Sequence, residues 1–157
     1  MRNISERQLP RQPAISHTGY LFCLLCLFVS VSSCSGIPIS YYDTTTYTQL
    51  TSLKAETTTL VESFDTKKVA ANEPKIEETT LNLRKAYEYE KGKGDPNSDT
   101  TKQFEKIDQL FGSDVKEYRE SGPGSLGTKF FREAATVLGQ AFDIAIATEN
   151  LKNKDKR

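Results

Sequence analysis

Tryptophan is absent from this chain, methionine stands only at position 1 and histidine only at position 17. The three cysteines, Cys23, Cys26 and Cys34, all fall near the start. From residue 35 onward the chain therefore has no imidazole and no thiol. Those groups supply the commonest general base, a common metal ligand and the thiol nucleophile. The expectation for everything after Cys34 is a protein that is not an enzyme, with no catalytic, cofactor-binding or metal site. No disulfide is expected there either. An excess of one charge is also missing: 21 basic side chains face 21 acidic ones. Three of the bases and one of the acids lie in the first 11 residues, which leaves the remainder slightly acidic. Nothing in that balance favours nucleic acid as a partner.

What is present at the start has an order. Arg2, Arg7 and Arg11 stand against one acid, Glu6, and residues 21–33, LFCLLCLFVSVSS, carry no charge. Basic segment, apolar segment, small residues and then a cut is the order of an export signal. The apolar run falls short of the roughly 20 residues that a helix needs to cross about 30 Å of hydrocarbon. Cys23 and Cys26 form a CLLC spacing inside this run, where metal or redox use is not expected.

The residues before Cys34 define the kind of signal. Val31-Ser32-Ser33-Cys34 resembles the lipobox of bacterial lipoproteins: an aliphatic residue, two small residues, then cysteine. The resemblance covers about the first 35 residues. It implies a signal peptide over 1–33, a diacylglyceryl thioether on Cys34, cleavage before it and acylation of the new amino group. An ordinary export signal cut nearby, or an uncleaved amphipathic anchor, fits the same composition. Ser35 is not the aspartate that resembles an inner-membrane retention signal. In a Gram-negative cell the expected place is the outer membrane, facing the periplasm.

Residues 34–42 read as a short lipidated tether, and 43–157 as one helical domain. The eight residues after Cys34 reach roughly 26 Å at most, at about 3.3 Å each. Tyr41 and Tyr42 close this stretch, where tyrosine suits the headgroup level. Four helices are predicted over 44–64, 74–91, 98–120 and 125–152. Asp43 caps the first, and Leu50, Leu53, Thr57, Leu60 and Phe64 give it a heptad-like stripe. Its many threonines are weak helix formers, which leaves part of it open to an extended form. Pro74 suits the first turn of the second helix, with Ile76, Thr80, Leu83 and Tyr87 facing inward. Ser98 or Asp99 caps the third, with Phe104, Ile107, Phe111, Val115 and Tyr118 on its buried face and Gly112 as a bend or close approach. Ser125 caps the fourth. Apolar residues wrap most of that helix, which marks it as the most buried element, and Gly127, Ala135 and Gly139 share a row with Phe131 that suits a close neighbour. The fold class is all-α, an antiparallel four-helix bundle preceded by a signal peptide and a short tether.

Few motifs carry chemistry. Gly122-Pro123-Gly124-Ser125-Leu126-Gly127 lacks the strand and the Lys-Ser/Thr pair of a phosphate loop and reads as a turn. Asp95-Pro96-Asn97-Ser98-Asp99 begins like a calcium loop, but Lys106 stands where the closing glutamate belongs. No helix has the Glu-x-x-His of a di-metal bundle. Arg84, Tyr87 and Tyr89 form the densest mix of tyrosine and charge and are the candidate partner contacts. The expected function is a membrane-anchored envelope lipoprotein that binds another envelope protein. The alternative is a carrier of a small apolar or aromatic ligand among Phe104, Phe111, Phe130, Phe131 and Phe142.

Overall fold

The computed structural model describes residues 40–127, 129–152 and 154. The expected signal peptide, Cys34 and the part of the expected tether before Ser40 lie outside the described residues. Within them the chain forms four α-helices: α1 (Thr44–Ser63), α2 (Val69–Lys91), α3 (Ser98–Ser121) and α4 (Phe130–Leu151). A single 3-10 turn, Asp95–Asn97, precedes α3. The bundle is all-helical as expected, and none of its helices is long and apolar enough to cross a membrane.

Asp43 starts α1 as predicted. Its backbone is extended, and its carboxylate accepts the Thr45 N–H at 2.8 Å, which satisfies one of the free amides of the first turn. The threonines of α1 do not break it. Thr51, Thr57 and Thr58 donate their hydroxyls back to the carbonyls of Tyr47, Leu53 and Lys54 at 3.0, 2.8 and 2.8 Å. A hydroxyl satisfied within its own helix has no need of a partner in an extended form.

Two helix starts differ from prediction. α2 begins at Val69, so Pro74 lies inside it rather than in its first turn. The extra turn is held from outside. Tyr118 donates its hydroxyl to the Lys67 carbonyl at 2.6 Å, and buried Asn72 donates to Ser63 Oγ at 2.9 Å and to Tyr118 Oη at 3.1 Å. α4 begins at Phe130, and Ser125 caps nothing. Its hydroxyl instead donates to the Ser121 and Gly122 carbonyls at 2.6 and 3.0 Å. Gly124 and Gly127, at φ +71° and +96°, keep this stretch out of a helix, in backbone that residues with a side chain rarely adopt. At α3 neither Ser98 nor Asp99 is the cap. Asn97 takes that position, with its side chain turned elsewhere.

The core is continuous. α1 packs most extensively on α4 and also on α2, while α3 packs on both α2 and α4. The α3 face is buried as predicted. On α2 the buried positions are Thr79 and Ala86, not Thr80 and Tyr87, since the helix is rotated slightly about Ile76 and Leu83. At one end of the bundle Phe64 stacks on Tyr118 (centroids 4.0 Å apart, planes at 5°), and Phe131 meets both edge-on. Gly139 faces α1, where an added Cβ would lie 3.5 Å from Thr58 Cγ2, at ordinary contact distance. Gly112 has no such neighbour.

Candidate functional site

Two features stand out on the bundle. The first is a buried polar network at the end of the bundle that holds Asp43. Glu90, the penultimate residue of α2, and Glu149, near the end of α4, are both fully buried. Each lies in phase with its helix's apolar stripe, four residues beyond Ala86 and Ala145. A buried carboxylate is costly unless it is paired and hydrogen-bonded, and both are. Glu90 Oε1 accepts from Thr46 Oγ1 at 2.5 Å and Lys93 Nζ at 2.9 Å, while Oε2 accepts from Asn97 Nδ2 at 2.5 Å. Glu149 accepts the Asp43 N–H at 2.6 Å and pairs with Lys152 Nζ at 2.6 Å.

The two halves of the network are joined through Asp43 and Asn97. Lys93 Nζ pairs with Asp43 at 2.8 Å, and Tyr89 Oη donates to the same carboxylate at 2.7 Å. Asn97 Oδ1 accepts from Lys152 Nζ at 2.6 Å and from Ser40 Oγ at 3.2 Å. Burial alone would push the Asp43 carboxyl up, but Lys93, Tyr89 and the Thr45 amide outweigh it and hold that carboxyl far below the usual range. Burial likewise opposes the charge on Lys93, and Asp43 and Glu90 outweigh it, so the ammonium holds its proton more tightly than usual. Three carboxylates and two ammonium groups thus close on one another. Such a set fixes the start of α1, the end of α2 and the end of α4 to one another. A cleft of about 630 Å³ lies over it, lined by Tyr41, Tyr42, Tyr89, Lys93 and Pro96 among others. Among the described residues no group of three or more His, Cys, Asp or Glu side chains is placed to hold a metal ion.

The second feature is on α4. One face of this helix is buried through Phe131, Ala135, Leu138, Phe142 and Ala145. Among the described residues nothing covers the opposite side, which corrects the expectation that α4 is the most buried element. Phe130, Val137, Ile144 and Leu151 are 41, 51, 62 and 87 % exposed. They recur every seven residues, with half-buried Ala134, Ala141 and Thr148 between them. Seven residues make almost two helical turns, so the four side chains form one ridge along the helix. Two separate apolar stripes on one helix look like a helix that is apolar all round, and this is why the sequence pattern overstated its burial.

Arg84, Tyr87 and Tyr89 do not form one patch. Arg84 and Tyr87 line a groove of about 480 Å³ between α2 and α3 with Glu88, Glu105, Asp108 and Gln109. Tyr87 packs partly on the core and donates to Glu105 at 3.1 Å. Tyr89 points to the other side, onto Asp43, with Lys93 Nζ 4.4 Å from its ring centre. Of the five phenylalanines considered for a ligand pocket, Phe104, Phe111, Phe131 and Phe142 are packed in the core and Phe130 is on the ridge. Cys34 lies outside the described residues.

Sequence reasoning missed Glu90, Glu149 and the ridge. Glutamates in phase with a buried stripe, and a second seven-residue spacing on α4, were the available signs. The chain matches no protein-family model, no curated protein and no solved structure.

Proposed function

We propose that this chain is an envelope lipoprotein anchored by lipid on Cys34. Residues 1–33 are its signal peptide, and its domain is an antiparallel four-helix bundle that acts as a non-enzymatic protein-interaction module. The observation that carries the interaction reading is the exposed ridge Phe130, Val137, Ile144 and Leu151. A contiguous apolar patch on an otherwise polar surface marks a contact with another macromolecule. The network around Asp43 supports the anchored reading, because it binds the chain down from Ser40 onward. The six residues from Cys34 to Ile39 then span roughly 20 Å at about 3.3 Å each, which keeps the bundle near the lipid. In a Gram-negative cell this is the outer membrane, on its periplasmic side.

The carrier reading ranks below this one, since four of the five rings it relies on fill the core. The test has two arms. Cys34→Ala is expected to abolish lipid labelling and to release the protein from the membrane fraction; normal labelling of that variant overturns the anchor. Ile144→Lys is expected to remove the complexes that crosslinking captures from native membranes, and complexes unchanged in that variant overturn the ridge as the contact surface.

A further inference from the structure

The start of α3 and the end of α4 meet inside the polar network, and they bring together an amine, a carboxamide and two carboxylates. Asn97, at the cap of α3, is 2 % exposed, and Glu90 and Glu149 are fully buried. Lys152 ends α4, and its side chain is only 9 % exposed. Its Nζ lies 2.6 Å from Asn97 Oδ1 and 2.6 Å from Glu149 Oε2. Among the described residues that carboxylate oxygen has no other partner. The carboxamide is fixed in one orientation. Its Nδ2 donates to Glu90 Oε2 at 2.5 Å and to the Glu90 main-chain carbonyl at 3.2 Å. Its Oδ1 accepts from Lys152 and, at 3.2 Å, from Ser40 Oγ. A carboxylate only accepts and an ammonium only donates, so a flipped amide would lose both Glu90 and Lys152. With a C=O bond of about 1.23 Å, Nζ lies roughly 3–4 Å from Asn97 Cγ, close to the near-attack distance of a nucleophile.

We propose that Lys152 and Asn97 join in an intramolecular isopeptide bond, with Glu149 as the base and ammonia as the leaving group. Glu149 takes one proton from the Lys152 ammonium. That transfer turns two buried charges into two neutral groups, a change that burial favours. The freed electron pair on Nζ forms the bond to Asn97 Cγ, and the C=O electrons move onto Oδ1, where Ser40 Oγ donates to the developing charge. The C=O bond then re-forms and Cγ–Nδ2 breaks. Glu149 returns its proton to the departing nitrogen and takes a second proton from Nζ, which leaves a neutral secondary amide. Ammonia carries off that last proton as ammonium. Glu90 holds both N–H groups of Nδ2 and so orients the leaving group. One amide replaces another, so the step needs no co-reactant, and escape of ammonia makes it one-way. Lys93, the other lysine of the network, touches only carboxylates and the Thr46 hydroxyl, none of which acylates an amine without activation. The bond ties residues 55 apart in sequence. Like a disulfide it restricts the unfolded chain, in a region that has no cysteine. It needs only the folded bundle and is independent of lipid on Cys34.

The test uses the full chain, purified from its own cells, digested with trypsin and mapped by mass spectrometry. The bond blocks cleavage after Lys152. The expected product is a branched peptide in which Gly94–Lys102 is joined to Glu133–Lys154, lighter by one ammonia than its two parts. Lys152→Arg keeps a cation beside Glu149 but has no nucleophilic amine, and it is expected to release the two peptides separately. Glu149→Gln keeps an acceptor for the Asp43 N–H but removes the base, and it is expected to lose the branched peptide. Far-UV circular dichroism verifies that each variant is folded; where Glu149→Gln is not, the wild type and Lys152→Arg decide. A wild type that yields only separate peptides, both fresh and after long incubation at neutral pH, overturns the proposal. So does loss of ammonia that persists in Lys152→Arg, which means that Asn97 has cyclised onto the Ser98 amide instead. A branched peptide at wild-type yield from folded Glu149→Gln overturns Glu149 as the base and with it the proposed step.

Discussion

Glu149, near the C-terminal end of α4, accepts the backbone N–H of Asp43 at 2.6 Å across 106 residues of sequence. The other carboxylate oxygen pairs with Lys152 at 2.6 Å. Removing one partner of a buried ion pair leaves the other desolvated and uncompensated, at a cost of about 3 kcal/mol. Glu149→Ala is therefore expected to lose about 3 kcal/mol of stability. Glu149→Gln is expected to lose less, because its amide oxygen still accepts from Asp43. Urea unfolding followed by far-UV circular dichroism measures both, a suitable probe in a chain without tryptophan. Equal losses in the two variants would show that the charge, not the shape, carries the interaction.

At the opposite end, Tyr118 combines a ring stacked on Phe64 with a hydroxyl that donates to the Lys67 carbonyl at 2.6 Å and accepts from Asn72. Tyr118→Phe keeps the stack and the volume but leaves the Lys67 carbonyl and one Asn72 N–H unmet. Unmet buried polar groups cost about 1–3 kcal/mol, so a loss of about 2 kcal/mol is expected in urea unfolding. The first turn of α2 is held by these bonds. Amide hydrogen exchange over Val69–Glu73 should accelerate more than exchange in the middle of α3. Uniform acceleration across the bundle would contradict a local role for the hydroxyl.

The α3 stripe from Phe104 to Tyr118 was legible in the sequence because its spacing of three and four residues is free of polar interruptions. The Asp43 cap was legible because a short acid before a helix satisfies amides two residues away. The start of α2 was not. Lys68 offers no side-chain cap, and the bonds that fix the turn come from Ser63 and Tyr118, distant in sequence. The site was the least legible part. Glu90 and Glu149 look like surface acids until the helices bring Thr46, Asn97 and the two lysines around them. The ridge was visible as apolar residues, but nothing local says which of two apolar stripes on α4 faces the core.

Two glycines separate backbone effects from packing effects. An added Cβ meets nothing within 4 Å at either Gly112 or Gly122. Gly112 lies inside α3, where glycine is about 1 kcal/mol worse than alanine. Gly122 ends α3 at φ +75° and ψ 176°, a region essentially confined to glycine that costs residues with a side chain about 1–3 kcal/mol. Gly112→Ala is therefore expected to stabilise by about 1 kcal/mol, and Gly122→Ala to destabilise by about 1–3 kcal/mol. Thermal unfolding should move in opposite directions for the two. A shift in the same direction would place a contact at one of these positions that the bundle does not show.

Asp114 sets a pH dependence of unusual sign for a carboxylate. It is partly buried on α3, and burial alone pushes its carboxyl from 3.8 up to about 6. The folded state then binds this proton more tightly than the unfolded state. Below pH 3.8 the group is protonated in both states and has no effect; stability falls as pH rises between 3.8 and about 6, and the full cost applies above that. Partial exposure screens the charge, which brings the cost at neutral pH to about 1 kcal/mol. Asp114→Asn is thus expected to be more stable than the wild type by about 1 kcal/mol at pH 7.5 and equal to it at pH 3.5. Asp43 has the opposite sign. Its carboxyl is held below its usual range, so its contribution is present above pH 3.8 and is lost as pH falls. Both proteins share that loss, and it cancels in the difference between them. A constant difference between the two proteins at both pH values would show that Asp114 acts through its shape and not through its proton.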